Sequence, residues 1–472
     1  MQRTKSKILS ILLSFVMLLS LLPTTALAAG NYPDSVRVYN KNKKLISLND
    51  GECLTANDAT EAIGYTSGAY VARYDSGTLY LKDYHGVAAD GQIYADGDLK
   101  IEVEGDSSFT TSLSSATNHL YGIQANGTLT ISGSGTLTVR ATGKGNVYGI
   151  YAKEGVTISA PLAVTVGKNS TTETGSVYGI YTESGAISLS GAEDKTITAT
   201  GGIDAAYGVY NEAQTSSSAA SSSNITISGK LTVNLSDCSY NRGISSQGGD
   251  ITLNGATVKI SGNYYYGIFN KDGNVVIKSC PDVELTSTTS GGEGICTYDG
   301  GDLTIENSTV KVSAEGYAAN LKGNVSIKDS TVELTLTANN YEVIRTGNSS
   351  AANTIDLSTR GSVTLTASGE QEYAMISGKV TLGTNTKYEK GNPDGNSYNG
   401  AYDTASGKTV LKFVHEATAP TANISLDKTG TVDFGSKEAG YSTAPAAQSV
   451  TITNSGTAAT GPLTIALDGD NM

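Results

Sequence analysis

The stretch Tyr148-Gly149-Ile150-Tyr151, leading through Gly155 into Val156-Thr157-Ile158, decides the fold. Its opening phrase recurs as Tyr121-Gly122-Ile123, Tyr178-Gly179-Ile180, Tyr207-Gly208-Val209 and Tyr266-Gly267-Ile268, with degenerate copies at Arg242-Gly243-Ile244 and Glu293-Gly294-Ile295. The register continues through Tyr317, Tyr341 and Tyr373, and successive starts lie 27, 30, 29, 35, 24, 27, 24, 24 and 32 residues apart. Each phrase runs through a Gly-bearing turn into an alternating strand such as Leu129-Thr130-Ile131 or Ile225-Thr226-Ile227. A second turn leads to a third strand such as Leu137-Thr138-Val139, Leu231-Thr232-Val233 or Val310-Lys311-Val312. One such unit cannot bury its apolar side alone, but stacked units share a continuous core.

Three short strands per unit predict an all-β chain: a parallel β-helix of about eleven coils between Ile93 and Leu382. Parallel crossovers are overwhelmingly right-handed, which sets the expected hand. With ~4.8 Å between strands, eleven coils make a rod about 50 Å long. The leucine-rich, calcium-nonapeptide and Trp-Asp repeat signatures are missing. The longest interval contains Thr215 to Ser223, a Ser/Ala tract of linker composition that reads as a loop outside the coil.

Strand alternation then assigns faces. Leu129 and Ile131 point inward, and the outward column collects Thr130, Thr157, Ser188, Thr226, Thr252, Val276, Thr304 and Ser326. In the first strand Ile150 points in and Tyr151 out, so its outward column reads Tyr94, Gln124, Tyr151, Tyr181, Tyr210, Ser245, Phe269 and Cys296, with Tyr298 two positions on. Tyr148 shares the parity of Ile150 and is expected to close a corner of the coil. Gly97, Gly127, Gly155, Gly185, Gly273 and Gly300 stack in the following turn, where positive φ is expected.

The ends read differently. Arg3, Lys5 and Lys7, the apolar run Ile8 to Leu22, and Ala26-Leu27-Ala28 have the layout of a bacterial-style secretory signal peptide spanning residues 1–28. The apolar run is shorter than the ~20 residues of a membrane span, so no membrane insertion is expected after cleavage. Residues 29–91 lack the repeat and carry a hairpin signal from Tyr74 into Thr78-Leu79-Tyr80-Leu81 across Asp75-Ser76-Gly77, which suits an N-terminal β cap on the open end of the solenoid. After the β-helix of residues 92–390 comes a Gly/Asn/Ser-rich linker, 391–420, with Pro420 at the junction. Residues 421–472 hold Ile424-Ser425-Leu426, Val432-Asp433-Phe434-Gly435 and Val450 to Gly456, expected strands of a partial immunoglobulin-like β-sandwich truncated at Met472.

Two resemblances follow from these residues. The segment Ile93-Tyr94-Ala95-Asp96-Gly97-Asp98-Leu99-Lys100-Ile101 with the Tyr-Gly-Ile coils resembles secreted bacterial right-handed β-helix proteins of carbohydrate-binding type, over roughly residues 75 to 390. Val432-Asp433-Phe434-Gly435 with Thr453-Asn454-Ser455-Gly456-Thr457 resembles the immunoglobulin-like modules of choice-of-anchor-D type in bacterial surface proteins. The first resemblance implies a polysaccharide or glycan partner, and both imply an extracellular, secreted or cell-wall-associated place.

Charge narrows the function classes. The chain has 32 basic and 45 acidic residues, a net charge of −13, and is repelled by nucleic acid and anionic membrane surfaces. Gly numbers 55 of 472, Pro 8, Trp 0, Phe 5 and Tyr 27. Tyr in place of Phe suits rings at wet boundaries, since the hydroxyl needs water or a partner. Cys53, Cys238, Cys280 and Cys296 lack metal spacing, His85, His119 and His415 are scattered, and the thiols are expected mostly unpaired. No metal site is therefore assigned, although Ca²⁺ remains an option for acidic turns.

A glycosidase needs two carboxylates about 5–9.5 Å apart. Adjacent coils could bring Asp299 and Asp302 near Asp272, or Asp96 and Asp98 near Asn126, but Asp in a Gly-rich turn commonly makes a local hydrogen bond. The paired-Asp, Gly-His-Gly and Arg-Ile-Lys constellation of polygalacturonases is missing, so no catalytic residue and no cofactor is assigned. The expectation is a non-catalytic, monomeric rod that binds polysaccharide or host glycans through Tyr94, Tyr151, Tyr181, Tyr210, Phe269 and Tyr298. The alternatives are a structural stalk displaying a downstream domain, and a polysaccharide lyase or hydrolase. An ice-binding Thr face is remote, because Lys278, Glu306 and Lys328 interrupt it.

Overall fold

A computed structural model describes residues 30–455, apart from 115–118, 214–222, 239, 339–340, 348–350, 372, 395–396, 417–422, 429–438, 441 and 444–446. Residues 1–28, read above as a leader, most of the Ser/Ala tract, Pro420 and the Val432–Gly435 motif lie outside the described residues. Two units separate near residue 415. Every described regular element is a strand, and no described helix is long and apolar enough to cross a membrane.

The larger unit is a parallel β-solenoid of three sheets. Ten coils each contribute one strand to every sheet, from the coil holding Ile93–Ala95, Leu99–Val103 and Ser107–Leu113 to the coil holding Ile344–Thr346, Ala352–Asp356 and Ser362–Ser368. Ten full coils replace the expected eleven. After the tenth, the chain adds Lys379–Leu382 in parallel to the second sheet and a single parallel bridge, Ile344 to Ile376, to the first. On the third sheet it reverses, and Lys408–His415 runs antiparallel along Ser362–Ser368. That strand lies inside the segment read as linker. Its Gly/Asn/Ser-rich approach hid an alternating strand whose Leu411 and Phe413 are fully buried on the last coil.

The outward columns hold their register. Thr130, Thr157, Ser188, Thr226, Thr252, Val276, Thr304 and Ser326 are successive partners on the second sheet. Ile123, Ile150, Ile180, Val209, Ile244, Ile268 and Ile295 stack inward on the first, each fully buried. Turns are tied coil to coil by side chains as well as by the ladder. Asn224, Asp250, Asn274, Asp302 and Asn324 each accept, at Oδ1, a main-chain N–H from the next coil at 2.6–2.9 Å. Such bonds satisfy donors that a tight turn would otherwise leave unpaired.

The glycine turn divides into two cases. Gly97, Gly155, Gly185 and Gly300 have φ between 77° and 155°. Gly127 and Gly273 do not share this and are small for lack of room: a Cβ at Gly127 would lie 2.4 Å from Asp98 Oδ1, and one at Gly273 2.6 Å from Gly249 O.

At the N-terminal end, Ser35–Tyr39 runs antiparallel along Ile93–Ala95 and pairs on its other side with Leu45–Asn49. The edge of the first sheet's first coil is thereby occupied. The hairpin Ala72–Asp75 with Thr78–Leu81 forms as read, turning at Ser76 and Gly77, both with positive φ. In the smaller unit, Ile424–Leu426 pairs antiparallel with Ile452–Asn454, and both strands are exposed.

Ile180 sits with Ile150 and Val209 in the inward column. Ile180→Asp would bury an unpaired carboxylate and destabilise the solenoid by several kcal/mol. Thermal unfolding followed by circular dichroism measures this, and an unchanged melting temperature would refute the register.

Candidate functional site: the tyrosine face of the first sheet

The Tyr-Gly-Ile phrase breaks strand alternation. Gly149 and Ile150 both face the core: Ile150 is fully buried, and a Cβ on Gly149 would lie 2.4 Å from Val164 Cγ1 and 2.8 Å from Gly179 O. Two consecutive inward residues leave Tyr148 and Tyr151 on the same outer face, three residues apart. The parity rule, which placed Tyr148 at a corner, fails here because it assumes an unbroken alternation.

Two rows of rings result. Tyr121, Tyr148, Tyr178 and Tyr207 stack at 4.8–4.9 Å with interplanar angles of 3–11°. Tyr151, Tyr181 and Tyr210 stack beside them at 5.4–5.6 Å. Between rows the rings meet edge to face, at 5.0 Å for Tyr148 with Tyr181 and 5.1 Å for Tyr178 with Tyr181. Both are favourable aromatic geometries, each contributing about 0.5–1.5 kcal/mol beyond burial. Ring faces therefore cover one another: Tyr151, Tyr181, Tyr210 and Phe269 are only 5–8% exposed. Of the six residues expected to present bare rings, Tyr298 is the exposed one, at 53%. Tyr94 is half-buried, with the Arg37 guanidinium 4.0 Å over its ring.

A polar row borders the rings, one residue past the inward end of each strand: Asp96, Asn126, Lys153, Glu183, Glu212, Gln247 and Lys271. Tyr151 Oη donates to Glu183 and Tyr181 Oη to Glu212, whose carboxyl is held above the ordinary range by burial. At the N-terminal end Asn126 Nδ2 donates to Asp96 Oδ1 at 2.7 Å and to Tyr94 Oη at 2.9 Å. Tyr94 Oη in turn donates to Asp96 Oδ1 at 3.1 Å, and the bonds from Asn126 and Tyr94 hold the Asp96 carboxyl below its usual value. Asp96, Asn126, Tyr151, Lys153 and Glu183 line one shallow depression. Sequence reading missed this row because its members share position and not residue type.

The acidic turns are structural in their bonding. Asp98 Oδ1 accepts Thr128 N at 2.7 Å, and Asp302 Oδ1 accepts Asn324 N at 2.6 Å. Among the described residues no three His, Cys, Asp or Glu side chains gather as metal ligands. Cys53, Cys280 and Cys296 are free, buried thiols, and the Cys238 thiol donates to the Asp204 carbonyl.

Higher along the face, Glu293 replaces tyrosine. It is 7% exposed, and accepts the Asn320 amide at 3.0 Å. Burial pushes its carboxyl up, ahead of the opposing bonds from Asn320 and Cys296.

No family model, no curated protein and no solved structure matches this chain.

Two variants probe this face. Gly179→Ala would place a Cβ 2.3 Å from Ile197 Cγ2 and 2.5 Å from Gly208 O, costing about 1–3 kcal/mol by overpacking. With Trp absent, near-UV circular dichroism should report loosened tyrosines, and an unchanged spectrum would contradict the inward glycine. Glu293→Gln addresses pH. A carboxyl raised in the folded state favours folding below its unfolded pKa, and that contribution is lost as pH rises through the folded value. The variant should melt above wild type at neutral pH and equal to it near pH 4. Parallel melting curves at both pH values would disprove this if the difference were constant.

Proposed function

We propose that the chain is an exported, non-catalytic β-helix protein that binds polysaccharide along the outer face of its first sheet. The observation that supports this best is the polar row Asn126, Lys153, Glu183 and Glu212 beside an aromatic wall, offering amide, ammonium and carboxylate groups at successive coils. Coils repeat every ~4.8 Å, a spacing that suits hydroxyl groups on consecutive sugars of an extended chain. The reading takes up the resemblance to secreted bacterial carbohydrate-binding β-helix proteins, with the protein outside the cell or on its wall. Tyr94, Tyr151, Tyr181, Tyr210, Phe269 and Tyr298 remain the assigned residues, but most act by ring edges and by orienting the carboxylates. Among these six, Tyr298 is the exposed ring on which a sugar can stack.

The stalk reading has its own support: tyrosines packed on one another stiffen a rod without any ligand. Pull-down on insoluble cellulose, pectin and mucin glycans separates the two. Wild type should be retained on at least one of these, and the folded double variant Lys153→Ala with Glu183→Gln should lose about tenfold in affinity, equivalent to about 1.4 kcal/mol. Retention on none would favour the stalk. Equal retention of the variant would move binding off this face.

A further inference from the structure

The two tyrosine rows end at the sixth coil, where Arg242 takes the place of a tyrosine and Ser245 that of its outer neighbour. Ser245 is small, and Arg242 lies across the space it leaves. The guanidinium carbon sits 4.0 Å over the Phe269 ring, 5.4 Å from Tyr266 and 5.8 Å from Tyr207. Its side chain makes one weak hydrogen bond, Nη1 to Ser245 Oγ at 3.5 Å. Arg242, Gln247, Tyr266, Phe269, Lys271 and Tyr298 line a single pocket on this face. Neither Arg242 nor Lys271 forms an ion pair with a described residue, although the chain carries a net charge of −13. Glu293, next to Tyr266 on the adjacent coil, is turned to the Asn320 amide.

We infer that this pocket binds a sugar ring carrying a carboxylate, as in a uronic acid or a sialic acid. A guanidinium placed over an aromatic ring is already held by that ring and, with only a weak bond to Ser245, keeps most of its N–H donors for a ligand. Its planar fork matches a carboxylate in bidentate fashion, and the Lys271 ammonium adds a second charge from the neighbouring coil. The exposed Tyr298 ring, 6.3 Å from Phe269, supplies an apolar face for the C–H side of the sugar. Gln247 offers an amide to a hydroxyl. The net charge disfavours nucleic acid as the source of the anion, because long-range repulsion opposes a polyanion of that charge density. Each acidic sugar brings its carboxylate together with apolar ring C–H groups that the aromatic residues accept. This assignment rests on the glycan reading and gives it a chemical class.

The test uses the full chain and isothermal titration with oligogalacturonate, its methyl ester and sialyllactose, with dextran and dextran sulfate as neutral and sulfated controls. Wild type should bind oligogalacturonate or sialyllactose. For oligogalacturonate, esterification should weaken binding at least tenfold. Arg242→Gln and Lys271→Gln should each lower affinity for the bound acid about tenfold, and Arg242→Lys, which keeps the charge but loses the fork, should also weaken it. Lys271 is partly exposed, so its variant keeps the test valid if the Arg242 variants fold poorly. Equal affinity for dextran sulfate, with no loss in Arg242→Lys, would overturn the carboxylate assignment in favour of general anion attraction. Binding of dextran without preference for acidic sugars would overturn this inference alone. Absence of binding to every saccharide, together with no retention on the insoluble glycans, would overturn both this inference and the glycan reading.

Discussion

Coil-to-coil main-chain pairing, held in one register through ten coils, is the constraint on which this structure depends. Each strand lacks a partner within its own coil and obtains one only from the coil above and below. An apolar residue at a given position therefore always meets its counterpart from the neighbouring coils. That is why Ile150, Ile180 and Val209 form a column and not scattered contacts. The same pairing leaves an unsatisfied edge at either end of the stack. At each end one sheet changes direction: Ser35–Tyr39 pairs antiparallel with the first coil on the first sheet, and Lys408–His415 with the tenth coil on the third. An antiparallel strand satisfies the edge without extending the repeat.

Within that frame a single glycine per coil governs the outer face. Gly122, Gly149, Gly179, Gly208, Gly243 and Gly294 face valine or isoleucine side chains of the third sheet at distances a Cβ would not tolerate. By removing one side chain from the core side, glycine lets the next residue face inward as well. Tyrosines three apart then share one face and bury each other. Hydrophobic packing thus continues outside the solenoid, in a second cluster distinct from the core. The hydroxyls have short routes to Glu183 and Glu212, so the packing orients carboxylates that lie at the solvent boundary.

Departures from the repeat concentrate the chemistry. Where the rows continue as tyrosine, ring faces are used internally. Where Arg242, Ser245 and Glu293 interrupt them, the face acquires a stacked guanidinium and a buried carboxyl. A repeat tolerates such substitutions because each outward position is supported mainly by its two neighbours in the column, and the core beneath is unaffected.

The sequence by itself determined the class of fold, the three-strand coil, the inward columns and the outward threonine column, because all of these follow from hydrophobic period and from self-similarity. It also placed Tyr94, Tyr151, Tyr181, Tyr210 and Phe269 in one column, and the structure keeps that order. The break in alternation was not legible, because glycine in a strand reads equally as a turn, a weak strand residue or a close approach. Only the position of Val164 behind Gly149 distinguishes these. The number of full coils and the fate of the segment before His415 were likewise decided by tertiary structure. Lys408–His415 alternates like any strand, and its direction depends on the edge that it meets. The polar row and the Arg242 pocket share no residue type that a motif search could follow. They exist because residues 24 to 35 apart are brought side by side, a proximity that stacking creates and local sequence does not encode.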